Sequence, residues 1–216
     1  MAGYEDLGAL PGPEERIAAA ADGLAAGALL AHPTTRVYGV GGPATPAADA
    51  ELSRLKGRRP EGPVLRIGAD VGRLRSLYPS AAWSADAARL AERFWPGPLT
   101  LVLDDGTARG LALRVEAHPL TRAVLARWSG ALGSTSLNRT GHPPARTEAE
   151  AREALDALLE ALPGPALRLL FLPAGDLAGP PPSTLLSLLP PGPRLLREGA
   201  IPRAEIEAAL GRGVLP

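Results

Sequence analysis

Strand-length apolar runs alternate with helical patterns along nearly all of this 216-residue chain. That alternation limits the fold more than any other feature. ALLAHP, ending at Pro33, reads as a short strand, and so do PVLRIGAD (63–70), residues 99–103, LALRVEAHP (111–119) and ALGSTS (131–136). Three further short strands are expected in LRLLFLPAG, PPSTLLSLL and PRLLREGAI. Helices are expected between them at 13–28, 44–58, 84–95, 119–130, 147–162 and 201–210. Their ends carry the punctuation a helix needs: Pro13, Pro46 and Pro119 in first turns, Ser84 as N-cap, and Thr147 with Glu150 as a capping box. PTTRVYGVGG is read as a polar turn running into a glycine-rich segment. The pattern predicts an α/β (α+β) fold, a sheet covered by helices. Residues 1–12 are read as a loose tail and 13–212 as a single domain.

Composition narrows the function. Net charge is zero and only 4% of residues are aromatic, a poor match to a stand-alone nucleic-acid binder. Cysteine is absent, which removes disulfides, thiolate nucleophiles and Cys-ligated zinc. His32, His118 and His142 lack metal-site spacing, so no metal is expected to be held by protein ligands. No apolar run reaches membrane-spanning length and the N-terminus lacks a basic region, so the expected location is the cytoplasm.

Candidate chemistry sits in PTTRVYG, LRVEAHP, STSLNRTG and PPSTLLS, four polar segments that follow apolar strands. Ligand sites in such sheets tend to lie beyond strand ends, where hydroxyls and an arginine such as Arg114 can receive a carboxylate or phosphate. The same residue types also make ordinary turns, and that alternative stays open on spacing alone. There is no GxxxxGKS loop, no dinucleotide fingerprint and no GxSxG elbow. A nucleotide would have to be held by cations and hydroxyls from separate elements. Of 23 Lys and Arg residues only Lys56 is lysine, and it lies in a run with Arg54, Arg58 and Arg59 at the end of a predicted helix. That run is either a phosphate site or a solvated helix end.

Six segments in order carry a family resemblance. They are PTTRVYGVG (33–41), LKGRRP (55–60), RFWPGPLTLVL (93–103), LALRVEAHP (111–119), STSLNRTGHPPA (134–145), and PPSTLLSL with PRLLREGAI (181–201). The chain resembles the YrdC/Sua5 family, L-threonylcarbamoyladenylate synthases, from about residue 14 to about 210. LALRVEAHP is read as a match to the family pattern A-x-R-x-P/T-x-H-P. The resemblance implies a twisted, mixed open sheet with flanking helices around a positively lined concave cleft. It also implies a reaction joining L-threonine, bicarbonate and ATP, with Mg²⁺ beside the phosphates, to give threonylcarbamoyl-adenylate and pyrophosphate. The product would pass to a transferase complex acting on adenosine 37 of tRNA, and contact with tRNA or double-stranded RNA is a further expected partner.

Carried over motif by motif, Thr34, Arg114, Ser136 and Ser183 would hold threonine. Lys56, Arg58, Ser134, Asn138, Arg146 and Arg197 would line the ATP side. Lys56, Arg58 and Arg114 would supply positioning and charge stabilisation, with no side-chain nucleophile. The sequence departs from the family at Gly62, where a lysine is common and Arg59 or Arg66 is the candidate replacement. It departs also at Leu137, for the usual alanine, and at Arg36, for a threonine. A paralogue that binds nucleotide or RNA without turnover is the alternative these departures leave open.

Overall fold

The computed structural model describes residues 3–57, 64–139, 141–162, 164, 167–179 and 181–215. Arg58, Arg59 and Gly62 lie outside the described residues. Strands are β1 (Glu5–Asp6), β2 (Leu29–Pro33), β3 (Tyr38–Pro43), β4 (Leu65–Gly68), β5 (Leu99–Leu103), β6 (Leu111–Val115), β7 (Leu132–Ser136), β8 (Leu169–Phe171), β9 (Thr184–Ser187) and β10 (Arg194–Arg197). Helices are α1 (Pro13–Ala25), α2 (Pro46–Leu55), α3 (Val71–Leu77), α4 (Ala85–Phe94), α5 (Pro119–Trp128), α6 (Glu148–Glu160) and α7 (Arg203–Leu210). The strands form one sheet in the order β1-β8-β2-β3-β7-β4-β6-β5-β9-β10. It is mixed, as expected: β2–β8, β4–β6 and β5–β9 run parallel, while β2–β3, β3–β7, β4–β7 and β5–β6 run antiparallel.

Side chains one residue apart on a strand point to opposite faces, and this sheet uses both. In β2 and β8, Leu29, Ala31, Leu169 and Phe171 pack with α2 and α6 through Leu52, Leu55, Leu155 and Leu158. Their neighbours Leu30 and Leu170 pack with α1 and α5 through Leu24, Val124 and Leu125. In β5, β6 and β9, Leu99, Leu101, Leu103, Leu113, Val115 and Leu186 meet Leu90 of α4 and Ile206 and Leu210 of α7. Each such leucine, fully buried, contributes about 1.5–3 kcal/mol. The alternate positions Thr100, Val102, Ala112, Arg114, Leu185 and Ser187 line open cavities instead. A core on one side and a cleft on the other follow from one residue of register.

The expected helix starts hold. Ser84 and Thr147 accept from Ala87 N and Glu150 N, and the Thr147–Glu150 capping box is closed. Three local expectations change. Residues read as a loose tail instead add β1 to the sheet edge beside β8 and bury Leu7. The glycine-rich segment is strand β3, not a turn, because β3 and β7 approach closely: a Cβ at Gly41 would lie 2.1 Å from the Gly133 carbonyl oxygen. Helix α3 was not expected; its seven residues are too few to show a period, and Asp70 caps it by accepting from Arg73 N at 2.7 Å.

Thr184 locks the last third of the chain. Fully buried, its hydroxyl donates to Ile201 O at 2.6 Å and accepts from Gly199 N and Ile201 N at 3.0 and 2.9 Å. Thr184→Val fills the same space but strands two amides and a carbonyl, so it should cost about 3 kcal/mol. Urea unfolding should show a lower midpoint for this variant, while Ser76→Ala, at an exposed position of α3, should change little.

Candidate active site

Where the β2–β3 turn, the end of α2, β6, β7 and the start of β9 converge, they enclose a cavity of about 610 Å³. Seven of the expected site residues line it: Thr34, Lys56, Arg114, Ser134, Ser136, Ser183 and Arg197. A second, more apolar hollow of about 480 Å³ adjoins it and shares Leu65, Ser183, Leu185 and Arg197. Asn138 and Arg146 are not among the lining residues of either.

Lys56 follows the last helical residue of α2 and is 8% exposed. Its ammonium donates to Ser136 O and Asn138 Oδ1, both at 3.0 Å, and to Asn138 O. An ammonium has three protons, and these three oxygens match them. Asn138 is tied up as well. Its Oδ1 accepts from Ser136 Oγ at 2.7 Å, and its Nδ2 donates to Arg139 O and His142 O. Asn138 therefore holds the turn and Lys56, one step behind the cavity wall. Arg146, expected on the ATP side, packs against Gly179.

Arg66, the candidate replacement for the missing lysine, is committed elsewhere. Its guanidinium grips Asp49 through two nitrogens, Nη1 to Oδ1 at 2.7 Å and Nη2 to Oδ2. Gly133 leaves room for it, since a Cβ there would lie 2.3 Å from Nη1. Leu137 is fully buried in the core rather than in the cavity wall. Arg36 lines the cavity and donates from Nε to Pro181 O at 2.9 Å, tying the β2–β3 turn to the segment before β9. Thr34 spends its hydroxyl within that turn, donating to Val37 O at 2.6 Å and accepting from the amides of Arg36 and Val37.

Arg197 donates from Nε and Nη2 to Ser183 O, at 3.2 and 2.9 Å, so β10 holds the P-S-T segment in place. Ser183 Oγ lies 3.2 Å from Thr100 Oγ1. Burial and then the nearby charge of Arg114 draw the Arg197 guanidinium below its usual range. Two guanidiniums facing one cavity attract an anion into it.

Sequence reasoning missed two residues behind this wall. Glu116 is 1% exposed; Oε2 accepts from Arg114 Nη2 at 2.7 Å, and Oε1 accepts from the amides of Thr35, Ala117 and His118. Burial pushes its carboxyl up, but Arg114 and these amides outweigh burial and hold it below the usual range. A signal existed: Glu116 stands where the family pattern has Pro or Thr. His32 is fully buried, with Nε2 2.9 Å from Ser134 Oγ and Nδ1 3.3 Å from Pro33 O. A carbonyl next to Nδ1 calls for the Nδ1–H tautomer, so Ser134 Oγ donates to Nε2 and presents lone pairs to the cavity. Gly39 leaves that pair its space, as a Cβ would lie 2.9 Å from His32 Nε2 and 3.1 Å from Ser134 Oγ.

The structure is a mixed α/β sheet with a cationic, hydroxyl-lined cavity over one face, an arrangement whose chemistry suits small anions. The profile of the Sua5/YciO/YrdC family, described as telomere recombination, matches residues 22–199, and the chain belongs to that family. It is 42% identical over 160 residues to the threonylcarbamoyl-AMP synthase of Chromohalobacter salexigens, covering 69% of this chain and 85% of that one. The enzyme of the same name from Alkalilimnicola ehrlichii is 39% identical over 174 residues, covering 72% and 87%. Among solved structures, P. abyssi Sua5 complexed with L-threonine superimposes with a TM-score of 0.80 at 27% identity, over 94% of this chain and 59% of that one. The H234A/Y235A form of the same protein gives 0.83 at 26% identity, over 100% and 62%. E. coli YciO shares the fold, with a TM-score of 0.72 at 21% identity over 93% and 97%.

The buried histidine makes stability depend on pH. Burial lowers the His32 pKa from 6.5 to about 4, against the opposing pull of Glu116. The folded chain keeps His32 neutral where the unfolded chain takes up a proton. Its contribution is therefore complete above pH 6.5 and is lost as pH falls toward 4, by on the order of 3 kcal/mol. His32→Gln should flatten the decline in urea midpoint between pH 7 and 4.5. Equal slopes for the variant and the unmodified protein would contradict this.

Proposed function

We propose that the protein makes threonylcarbamoyl-adenylate and pyrophosphate from L-threonine, bicarbonate and ATP. The observation that carries this reading is the convergence of Lys56, Arg114 and Arg197 on one cavity in a chain about 40% identical to enzymes of that name. Arg114 receives the threonine carboxylate, with Ser136 and Ser183 beside it. Lys56 and Arg197 face the phosphates, with Arg58, two residues beyond Lys56, as a further proposed contact, while Ser134, whose proton goes to His32, accepts from a hydroxyl or amino group of the nucleotide. The threonine amine and bicarbonate combine to a carbamate with loss of water, and a carbamate oxygen attacks the α-phosphorus of ATP and displaces pyrophosphate. No side-chain nucleophile is needed. The protein contributes positioning and neutralisation of phosphate charge.

The Lys56 ammonium donates to Ser136 O, Asn138 O and Asn138 Oδ1. A phosphate oxygen arriving there exchanges one of these partners for a charged one, a stronger hydrogen bond. Asn138 acts through Lys56. Arg146 remains a proposed contact for the outer part of the nucleotide. Mg²⁺ enters with the phosphates. Among the described residues no group of three or more His, Asp or Glu is placed to hold a metal. Among the described residues no helix is long and apolar enough to cross a membrane, and we place the reaction in the cytoplasm. There the adenylate serves a transferase complex acting on adenosine 37 of tRNA. Contact of this chain with tRNA itself is the weaker partner proposal.

Incubated with ATP, labelled L-threonine and bicarbonate, the protein should release pyrophosphate only when all three are present. Lys56→Ala should lower turnover by about 100-fold or more. Nucleotide binding without pyrophosphate release in the unmodified protein would instead establish the paralogue that binds without turnover.

A further inference from the structure

Glu116 is placed as few surface or site carboxylates are. Its side chain is 2% exposed and accepts from four donors, three of them backbone amides and one the guanidinium of Arg114. A carboxylate so enclosed does not touch substrate. It does touch both parts of the wall assigned to the amino acid. Oε2 fixes Arg114, whose side chain lines the cavity at 12% exposure. Oε1 fixes the amide of Thr35 at 3.3 Å, and so the turn that carries Thr34.

Two further observations give this contact a role in binding. Arg114 Nε is buried and has no hydrogen-bond partner among the described residues. With Nη2 held by Glu116, the plane of the guanidinium is set, and Nε is left as a donor waiting for an acceptor. Arg114 also shares the cavity with Arg197, and the two cations oppose one another. A buried anion behind Arg114 offsets that repulsion and lets both guanidiniums face the same side. Neither Pro nor Thr, the residues of the family pattern at this place, supplies an anion.

We propose that Glu116 is a positioning residue for the amino-acid substrate, holding Arg114 and the 34–37 turn in register to receive its carboxylate. This rests on the synthase reading given above. Lys56 and Ser134 on the nucleotide side make no contact with Glu116, and Arg197 keeps its own anchor on Ser183 O. The effect therefore falls chiefly on the amino-acid substrate.

Glu116→Gln keeps an oxygen for the three amides but turns an amide NH₂ toward Arg114. Losing one charged hydrogen bond of this kind should raise KM for L-threonine about 10-fold or more. KM for ATP should stay within about 2-fold and kcat within about 3-fold of the unmodified enzyme. Glu116→Asp keeps the charge at shorter reach and should recover part of the loss, and it serves as the test variant should Glu116→Gln not fold. Calorimetry should show the unmodified protein preferring L-threonine over L-threoninamide, and Glu116→Gln losing most of that preference. An unchanged threonine KM, or equal shifts for threonine and ATP, would overturn the role of Glu116 while leaving the synthase reading intact. No L-threonine binding by the unmodified protein would overturn both.

Discussion

The two-faced register of β5, β6 and β9 is the constraint from which the rest of the molecule follows. Leu99, Leu101, Leu113 and Leu186 can reach α4 and α7 only if Thr100, Ala112, Arg114 and Leu185 point the other way. A slip of one residue would bury Arg114 in a leucine core and expose the leucines, at a cost of several kcal/mol on either count. Hydrophobic burial therefore aims the cavity residues. The binding face is thus presented by packing on the opposite side of the sheet rather than by contacts among its own polar groups.

Once aimed, those groups are held by a layer of backbone contacts behind them. Lys56 rests on two carbonyls of the 136–138 turn, Arg197 on the carbonyl of Ser183, and Glu116 on three amides. Main-chain partners move little, so each cation begins close to its working position and the entropy of ordering a long side chain is lost on folding rather than on binding. The buried charges of Lys56 and Glu116 are tolerated because three oxygens meet the first and three amides with a guanidinium meet the second, while Arg114 keeps its Nε unpartnered among the described residues.

Much of the fold was legible in the sequence, and the reasons are local. Ser84 and the Thr147–Glu150 pair announce helix starts because their side chains bond amides three residues on. Strand β3 was not legible: Gly39, Gly41 and Gly42 read as a glycine-rich segment after a turn, and their size is explained only by tertiary neighbours, His32 and Ser134 at Gly39, Gly133 at Gly41, and Leu29 and Ala48 at Gly42. Strand β1 was equally hidden, since its partner β8 lies about 165 residues away and two residues show no alternation. The site was legible by residue type and less so by role. Lys56 stood out as the one lysine, yet its partners are carbonyls, which carry no sequence signature. Asn138 and Arg66 have the chemistry of ligand-binding groups, but a turn five residues long takes up one and Asp49 the other.

Glu116 shows where such reading fails and why. As a carboxylate two residues from an arginine on a strand, it resembles a same-face surface pair. Its effect arises from enclosure: β6 ends at Val115, the chain turns, and Oε1 meets the amides of that turn and of Thr35 across the cavity wall. A departure from a family pattern in a buried site residue is thus as informative as a match. Arg114 has the chemistry of a carboxylate-binding group, but the direction it faces in this chain is set by a neighbour that the family pattern does not contain.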